Sequence, residues 1–179
     1  PSGVRKLDFS PDGSTIIFDR TGDFGTRKIF SMNADGTNVV QLTSAGRNAV
    51  YSPNGFRIAF IDGNSVMTMN ADGTNIEPFL TPAQDGIGTV ESRPQWSPDG
   101  QSIAVSAITS SGSPSMIIKN VSDGQTNRFP FTASSNLAWG REVELITDAG
   151  SAVTVQSGAV SVSFMNNVSV GGITTVTPI

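Results

Sequence analysis

The 179-residue chain contains no cysteine and no histidine. The first absence excludes disulfides, thiolate metal sites and cysteine nucleophiles. The second removes the commonest general base, the commonest side-chain metal ligand and every serine–histidine triad. Charge is also scarce: 15% of residues are charged, with 11 basic against 15 acidic for a net charge of -4. General affinity for nucleic acid is therefore not expected. No apolar run is long enough to span a bilayer, so membrane insertion is not expected. Catalytic motifs are missing too. Gly63-Asn64-Ser65 continues with Val66-Met67 rather than x-Gly, so there is no nucleophile elbow. No carboxylate pair stands out for glycoside hydrolysis, and no glycine loop leads a helix as a phosphate cradle does. The expectation is a protein that is not an enzyme and carries no cofactor.

Glycine and proline are plentiful, at 19 and 10 residues. That points to many short elements joined by turns. The chain opens on Pro1 without an initiator methionine or signal segment, and reads as a processed or excised piece of something longer.

The turns repeat. Ser10-Pro11-Asp12-Gly13 returns as Ser52-Pro53-Asn54-Gly55 and as Ser97-Pro98-Asp99-Gly100, at intervals of 42 and 45 residues. Leu137-Ala138-Trp139-Gly140 reads as a fourth copy that has lost its Pro-Asp, with Trp139 standing 43 residues after Trp96. In such a tetrapeptide the serine bonds back to the backbone and the proline fixes φ. Asp or Asn tolerates the third position, and glycine accepts positive φ at the fourth. Apolar residues flank each copy, as Leu7 and Phe9 precede the first and Ile16 to Phe18 follow it. A second turn recurs out of phase: Asn33-Ala34-Asp35-Gly36-Thr37-Asn38, Asn70-Ala71-Asp72-Gly73-Thr74-Asn75, and the looser Ser122-Asp123-Gly124-Gln125-Thr126-Asn127 with one residue inserted. Each repeat thus reads as four antiparallel strands, and no stretch shows a helical period. An all-β chain with a period in the low forties fits four-stranded β-propeller blades.

Phe9 to Gly13 leading to Ile16-Ile17-Phe18, then Ile29 to Asn38, then Gln41-Leu42-Thr43, resembles the TolB-type propeller repeat. Arg93-Pro94-Gln95-Trp96-Ser97-Pro98-Asp99-Gly100 is similar to it again, more closely. The resemblance covers roughly residues 4–132 well and 136–165 poorly. It implies a bacterial protein that is periplasmic, on the cell surface or secreted, and that binds other proteins. The same repeat also forms non-catalytic propellers in some peptidases.

Three clear blades (about 4–43, 49–81 and 94–132) and a degenerate fourth (136–148 onward) make up a propeller region, 1–148. A ring closes at typically four to eight blades, so the propeller is either incomplete or completed by another chain. Residues 149–179 carry no charge and alternate Val with small polar residues. They read as the end of blade four, as the start of a further β module, or as a strand that pairs with a neighbouring subunit.

Loops between strands two and three, and links between blades, supply the candidate binding residues: Arg20, Asp23, Phe24 and Arg27 in the first loop, Arg47 in the first link, and Asp85, Glu91 and Arg93 in the next, longer link. Long loops on a rigid scaffold are where binding concentrates. Trp96 and Trp139 read as blade-to-blade packing, with a ligand-stacking platform as the alternative. No metal site is expected. Asn33, Asp35 and Thr37 at one-residue spacing would suit calcium, but each turn offers one carboxylate and calcium takes six to eight oxygens. The leading expectation is an interaction or scaffold module that binds a protein partner or copies of itself. The alternatives are an accessory propeller of a larger hydrolase and a self-assembling surface subunit.

Overall fold

The computed structural model describes residues 3–22 and 25–130, and the backbone of two further strands, Thr154–Ser157 and Val160–Ser163. Blade one is an antiparallel sheet in the order β1 (Val4–Phe9), β2 (Thr15–Thr21), β3 (Arg27–Asn33), β4 (Val40–Gln41). Blade two repeats that order with β5 (Arg47–Tyr51), β6 (Arg57–Asp62), β7 (Ser65–Asn70) and β8 (Glu77–Leu80). A one-turn helix α1 (Pro82–Asp85) and β9 (Ile87–Val90) lead into blade three, which continues as β10 (Gln95–Trp96), β11 (Ser102–Thr109), β12 (Pro114–Asn120) and β13 (Thr126–Pro130). The last two strands, β14 (Thr154–Ser157) and β15 (Val160–Ser163), pair with each other. The fourth repeat around Leu137 to Gly140, and Trp139 with it, lies outside the described residues.

The stretch after Leu80 is more structured than a link. Thr81 caps α1 by accepting the Gln84 N–H, and Gly86 ends it at φ 57°. Ile87–Val90 then pairs with the far half of β11, while β10 pairs with its near half. The inner strand of blade three is therefore one strand in two pieces, broken at 91–94, where Pro94 has no N–H to give a ladder. Blades one and two carry the same break in miniature, as register shifts between Val4 and Lys6 and between Arg47 and Val50.

Local hydrogen bonds explain the turns. In each Ser-Pro-x-Gly the glycine N–H returns to the serine carbonyl, at 2.8, 2.9 and 2.8 Å. The serine hydroxyl donates to the Asp12, Asn54 or Asp99 side chain at 2.5, 2.7 and 2.5 Å, and that side-chain oxygen also accepts the N–H two residues on. The glycines sit at φ 72°, 76° and 70°, where a side chain would be strained. The second turns of blades one and two match bond for bond: Asp35 and Asp72 each accept the hydroxyl and the N–H of the following threonine. The inserted residue in blade three shows as Asn120 N–H reaching Gln125, one residue further than Asn33 reaches Thr37.

These bonds hold the carboxyls low. The Ser10 hydroxyl, then the Ser14 amide and hydroxyl, lower Asp12 from the usual 3.8 to about 2. Asp99 is lowered chiefly by the Ser97 hydroxyl, and Asp35 and Asp72 by Thr37 and Thr74.

Blades meet through both faces of their middle strands. Successive side chains of a strand point to opposite faces. In β6, Ile58 and Phe60 pack with Ile17 and Ile29 of blade one. Ala59 and Ile61 face the other way, towards Ile103 and Trp96 or Val105 and Ile117 of blade three. This is why Ile58 to Ile61 is an unbroken apolar run rather than an alternating one. Turns of neighbouring blades touch as well: a Cβ at Gly55 would lie 3.3 Å from Pro11, and one at Gly100 would lie 3.7 Å from Pro53.

Gly46, at φ 134°, is where the chain passes between blades one and two; a Cβ there would lie 2.9 Å from Phe60 and 3.0 Å from Ile29. Gly46→Ala is expected to cost about 3 kcal/mol from strain and overpacking, read as a lower urea midpoint. A second expectation concerns acid. Between about pH 4 and about pH 2 the unfolded chain binds protons that the lowered turn carboxyls refuse. Stability is thus level above about pH 4 and falls below it. Asp99→Asn, which copies the natural Asn54 turn, should fold and lose less stability at about pH 3 than the parent chain in urea titrations.

Candidate functional site

The loop and link residues expected to bind are largely engaged at blade junctions. Arg27 on β3 holds Asp19 on β2, Nε to Oδ2 at 2.8 Å. Asp19 is fully buried, and its Oδ1 accepts the N–H of Asn48 at 3.0 Å, so this pair ties blade one to blade two. Beside it, Arg47 donates to the Gly63 carbonyl at 3.1 Å. Asp85 is buried between α1 and β12. It accepts the Thr81 N–H at 2.8 Å and Lys119 Nζ at 2.9 Å, and its carbonyl accepts from Arg128. Arg20 is exposed with its guanidinium 4.4 Å from the Phe30 ring centre. Glu91 is exposed, and its N–H pairs with the Ser106 carbonyl. Asp23 and Phe24 lie outside the described residues. Those of the group that are described do not converge on one patch.

Arg93 behaves differently. From blade three it reaches the Ala49 carbonyl of blade two at 2.7 Å, the Leu7 carbonyl of blade one at 3.3 Å, and Asp8 Oδ1 at 3.1 Å. Asp8 Oδ2 accepts the Tyr51 N–H at 2.9 Å. One guanidinium and one carboxylate thus join three inner strands. They border a concavity of about 220 Å³ at the ends of β1, β5 and β10, lined also by Phe9, Pro11, Tyr51 and Trp96. Phe9, Tyr51 and Trp96 occupy equivalent positions, each directly before a Ser-Pro-x-Gly turn. Phe9 is 53% exposed, Tyr51 half-buried and Trp96 buried. Burial, then the charges of Asp12 and Asp8, raise the Tyr51 phenol above its ordinary 10.0, so it stays a neutral donor.

The concavity therefore offers two aromatic surfaces, a phenol and a paired Arg–Asp at its wall. That arrangement can grip an extended or apolar segment, and among the described residues it brings together no nucleophile–base pair. Among the described residues no three acidic side chains come together as a cation site. The carboxylates of Asp35 and Asp72, weighed for calcium, accept from their own turns. Sequence reasoning found Arg93 and singled out Trp96, but missed Asp8 and Tyr51 as neighbours of Arg93. The available signal was the aromatic residue before each turn.

No family model and no curated protein matches the sequence. Solved structures do match, and they are β-propellers. One is TolB from Agrobacterium tumefaciens, at TM-score 0.60 and 20% identity over 72% of this chain. Another is TolB from Acinetobacter baumannii, at TM-score 0.62 and 20% identity over 83% of this chain. A third is the propeller domain of the Trilobed protease from Pyrococcus furiosus, which has an open velcro topology, at TM-score 0.63 and 13% identity over 93% of this chain. The chain spans 48% and 38% of the two TolB chains and 58% of the protease domain. By architecture, then, the chain is an all-β protein of propeller blades. More narrowly, its fold is that of a TolB-like β-propeller.

The Arg93 junction generates a stability test. Arg93→Ala should lower the unfolding free energy by about 2 kcal/mol through loss of its carbonyl and carboxylate bonds. Arg93→Lys should be less destabilised than Arg93→Ala but short of the parent, since all three partners meet one nitrogen, Nη2, whose place a lysine ammonium takes only as far as its different side chain reaches. Equilibrium urea unfolding of the two variants measures both.

Proposed function

We propose that the chain is a non-catalytic interaction or scaffold module of a bacterial envelope or exported protein, and that it grips a protein segment in the inner-strand concavity. The observation carrying this reading is the half-exposed Phe9 beside Tyr51 and the Asp8–Arg93 pair, at the rim of a built concavity on a rigid three-blade frame. Exposed aromatic surface beside fixed polar groups is what protein-binding sites favour. The fold it shares with TolB supports the reading. Of the described loop residues, exposed Arg20 and Glu91 are offered to a partner, while Arg27, Arg47 and Asp85 serve the junctions.

A second reading is favoured by one observation, the match to a protease's propeller domain over 93% of this chain. In that case the chain is the accessory propeller of a larger hydrolase, and a hydrolase domain in the same reading frame would decide for it.

The test of the first reading is chemical crosslinking followed by affinity capture from envelope fractions of the organism that makes the protein. A stoichiometric protein partner is expected with the parent chain. Recovery should drop about tenfold with Phe9→Ser, a loss of about 1.4 kcal/mol in binding, while circular dichroism is unchanged. Equal recovery with both chains would contradict it.

A further inference from the structure

Among the described residues three buried side-chain N–H groups have no acceptor: Arg57 Nε, Arg93 Nε and Trp96 Nε1. Two of the three belong to side chains that line one concavity, the one at the ends of β1, β5 and β10. A buried donor left unpaired is costly, and an occupant that brings an acceptor relieves it. Two further groups of the lining have no described partner, the Tyr51 phenol and the Gln95 amide, and both residues are half-buried.

The side-chain acceptors of the lining are already engaged. Asp8 Oδ1 holds Arg93 Nη2 at 3.1 Å, and its Oδ2 accepts the Tyr51 N–H at 2.9 Å. The Ser52 hydroxyl donates to Asn54 and accepts the Arg57 N–H. The wall therefore offers donors in excess and suits an incoming oxygen.

Charge decides which oxygen. Of the lining residues only Asp8 and Arg93 are charged, and they neutralise each other. Asp12, next to Pro11 in the adjoining turn, leaves one carboxylate over, and its charge and that of Asp8 both reach the Tyr51 phenol. An anionic oxygen is repelled there, and a neutral one is not. Size decides what carries it. A volume of about 220 Å³ is below the ~300–1,000 Å³ of sites for whole small molecules and suits one side chain of a larger partner. Phe9, 53% exposed in the same lining, gives a planar group a flat surface to lie on.

We propose that the concavity is a pocket for one uncharged amide side chain, asparagine or glutamine, presented by an extended segment of a protein partner, with its oxygen meeting the unpaired donors of this wall. The inference rests on the reading of the chain as a binding module and names the residue class that the module reads.

The probe is a displayed library of short random peptides selected on the full chain. Selected peptides should share an asparagine or glutamine, and synthetic copies with that amide replaced by the matching carboxylate should bind at least about tenfold more weakly. Asp12→Asn, which copies the Asn54 turn of blade two, should narrow that gap. The chain has two tryptophans, so comparison with Trp96→Phe assigns the Trp96 indole N–H signal in nitrogen–proton NMR. That signal should move downfield when the amide peptide binds. A shared acidic residue in the selected peptides, a Trp96 signal that stays in place on binding, or a library that yields no binder overturns the proposal; the donors then hold water only. Partner capture that depends on Phe9 while the Trp96 signal stays in place leaves the binding-module reading standing without it. Failure of both the library and the capture removes both.

Discussion

Everything in this fold depends on burying both faces of each blade's middle strand against a neighbour. A four-residue run such as Ile58 to Ile61 has no solvent side. It is stable only with one sheet in front and another behind, so no blade is a domain by itself. Fully burying an Ile or Phe side chain contributes about 1.5 to 3 kcal/mol, and β6 commits Ile58, Phe60 and Ile61 to its two neighbours. Turn hydrogen bonds are weak beside that, but they set the pitch at which the faces meet.

The polar groups follow from the same constraint. Asp19 stands where blade two has Ile61, inside the stack, and is tolerated because Arg27 and the Asn48 amide satisfy it. Asp85 is held likewise by Lys119 and the Thr81 amide. Arg93 spans three blades because the inner strands converge on the axis. Charges that look like free loop groups are drawn into the junctions, while the inner wall at the ends of β1, β5 and β10 keeps aromatic surface open at Phe9.

Turns and strands were readable in the sequence because their causes are local. The Ser10–Asp12 and Asp35–Thr37 bonds each span two residues, and blade two repeats both as Ser52–Asn54 and Asp72–Thr74. The split inner strand of blade three was not readable, since Ile87–Val90 has no turn of its own to announce it and depends on β11 for pairing. The site was harder still. Asp19 meets Asn48 across 29 residues, and Arg93 meets Leu7 across 86. No local pattern specifies such contacts; they follow from how blades are ordered around the axis. Arg93 stood out as part of the repeat, whereas Asp8 looked like an ordinary strand residue.

The central claim is that consecutive sheets pack face to face through opposite sides of their middle strands. A double-mutant cycle on Ile17→Ala and Phe60→Leu tests it directly, because these side chains share the cluster between blades one and two, while Ile16 lies on the other face. The account predicts a coupling energy of about 1 kcal/mol for Ile17 with Phe60, and near zero for Ile16→Ala with Phe60→Leu. Equal coupling in both cycles, or none in the first, would contradict it.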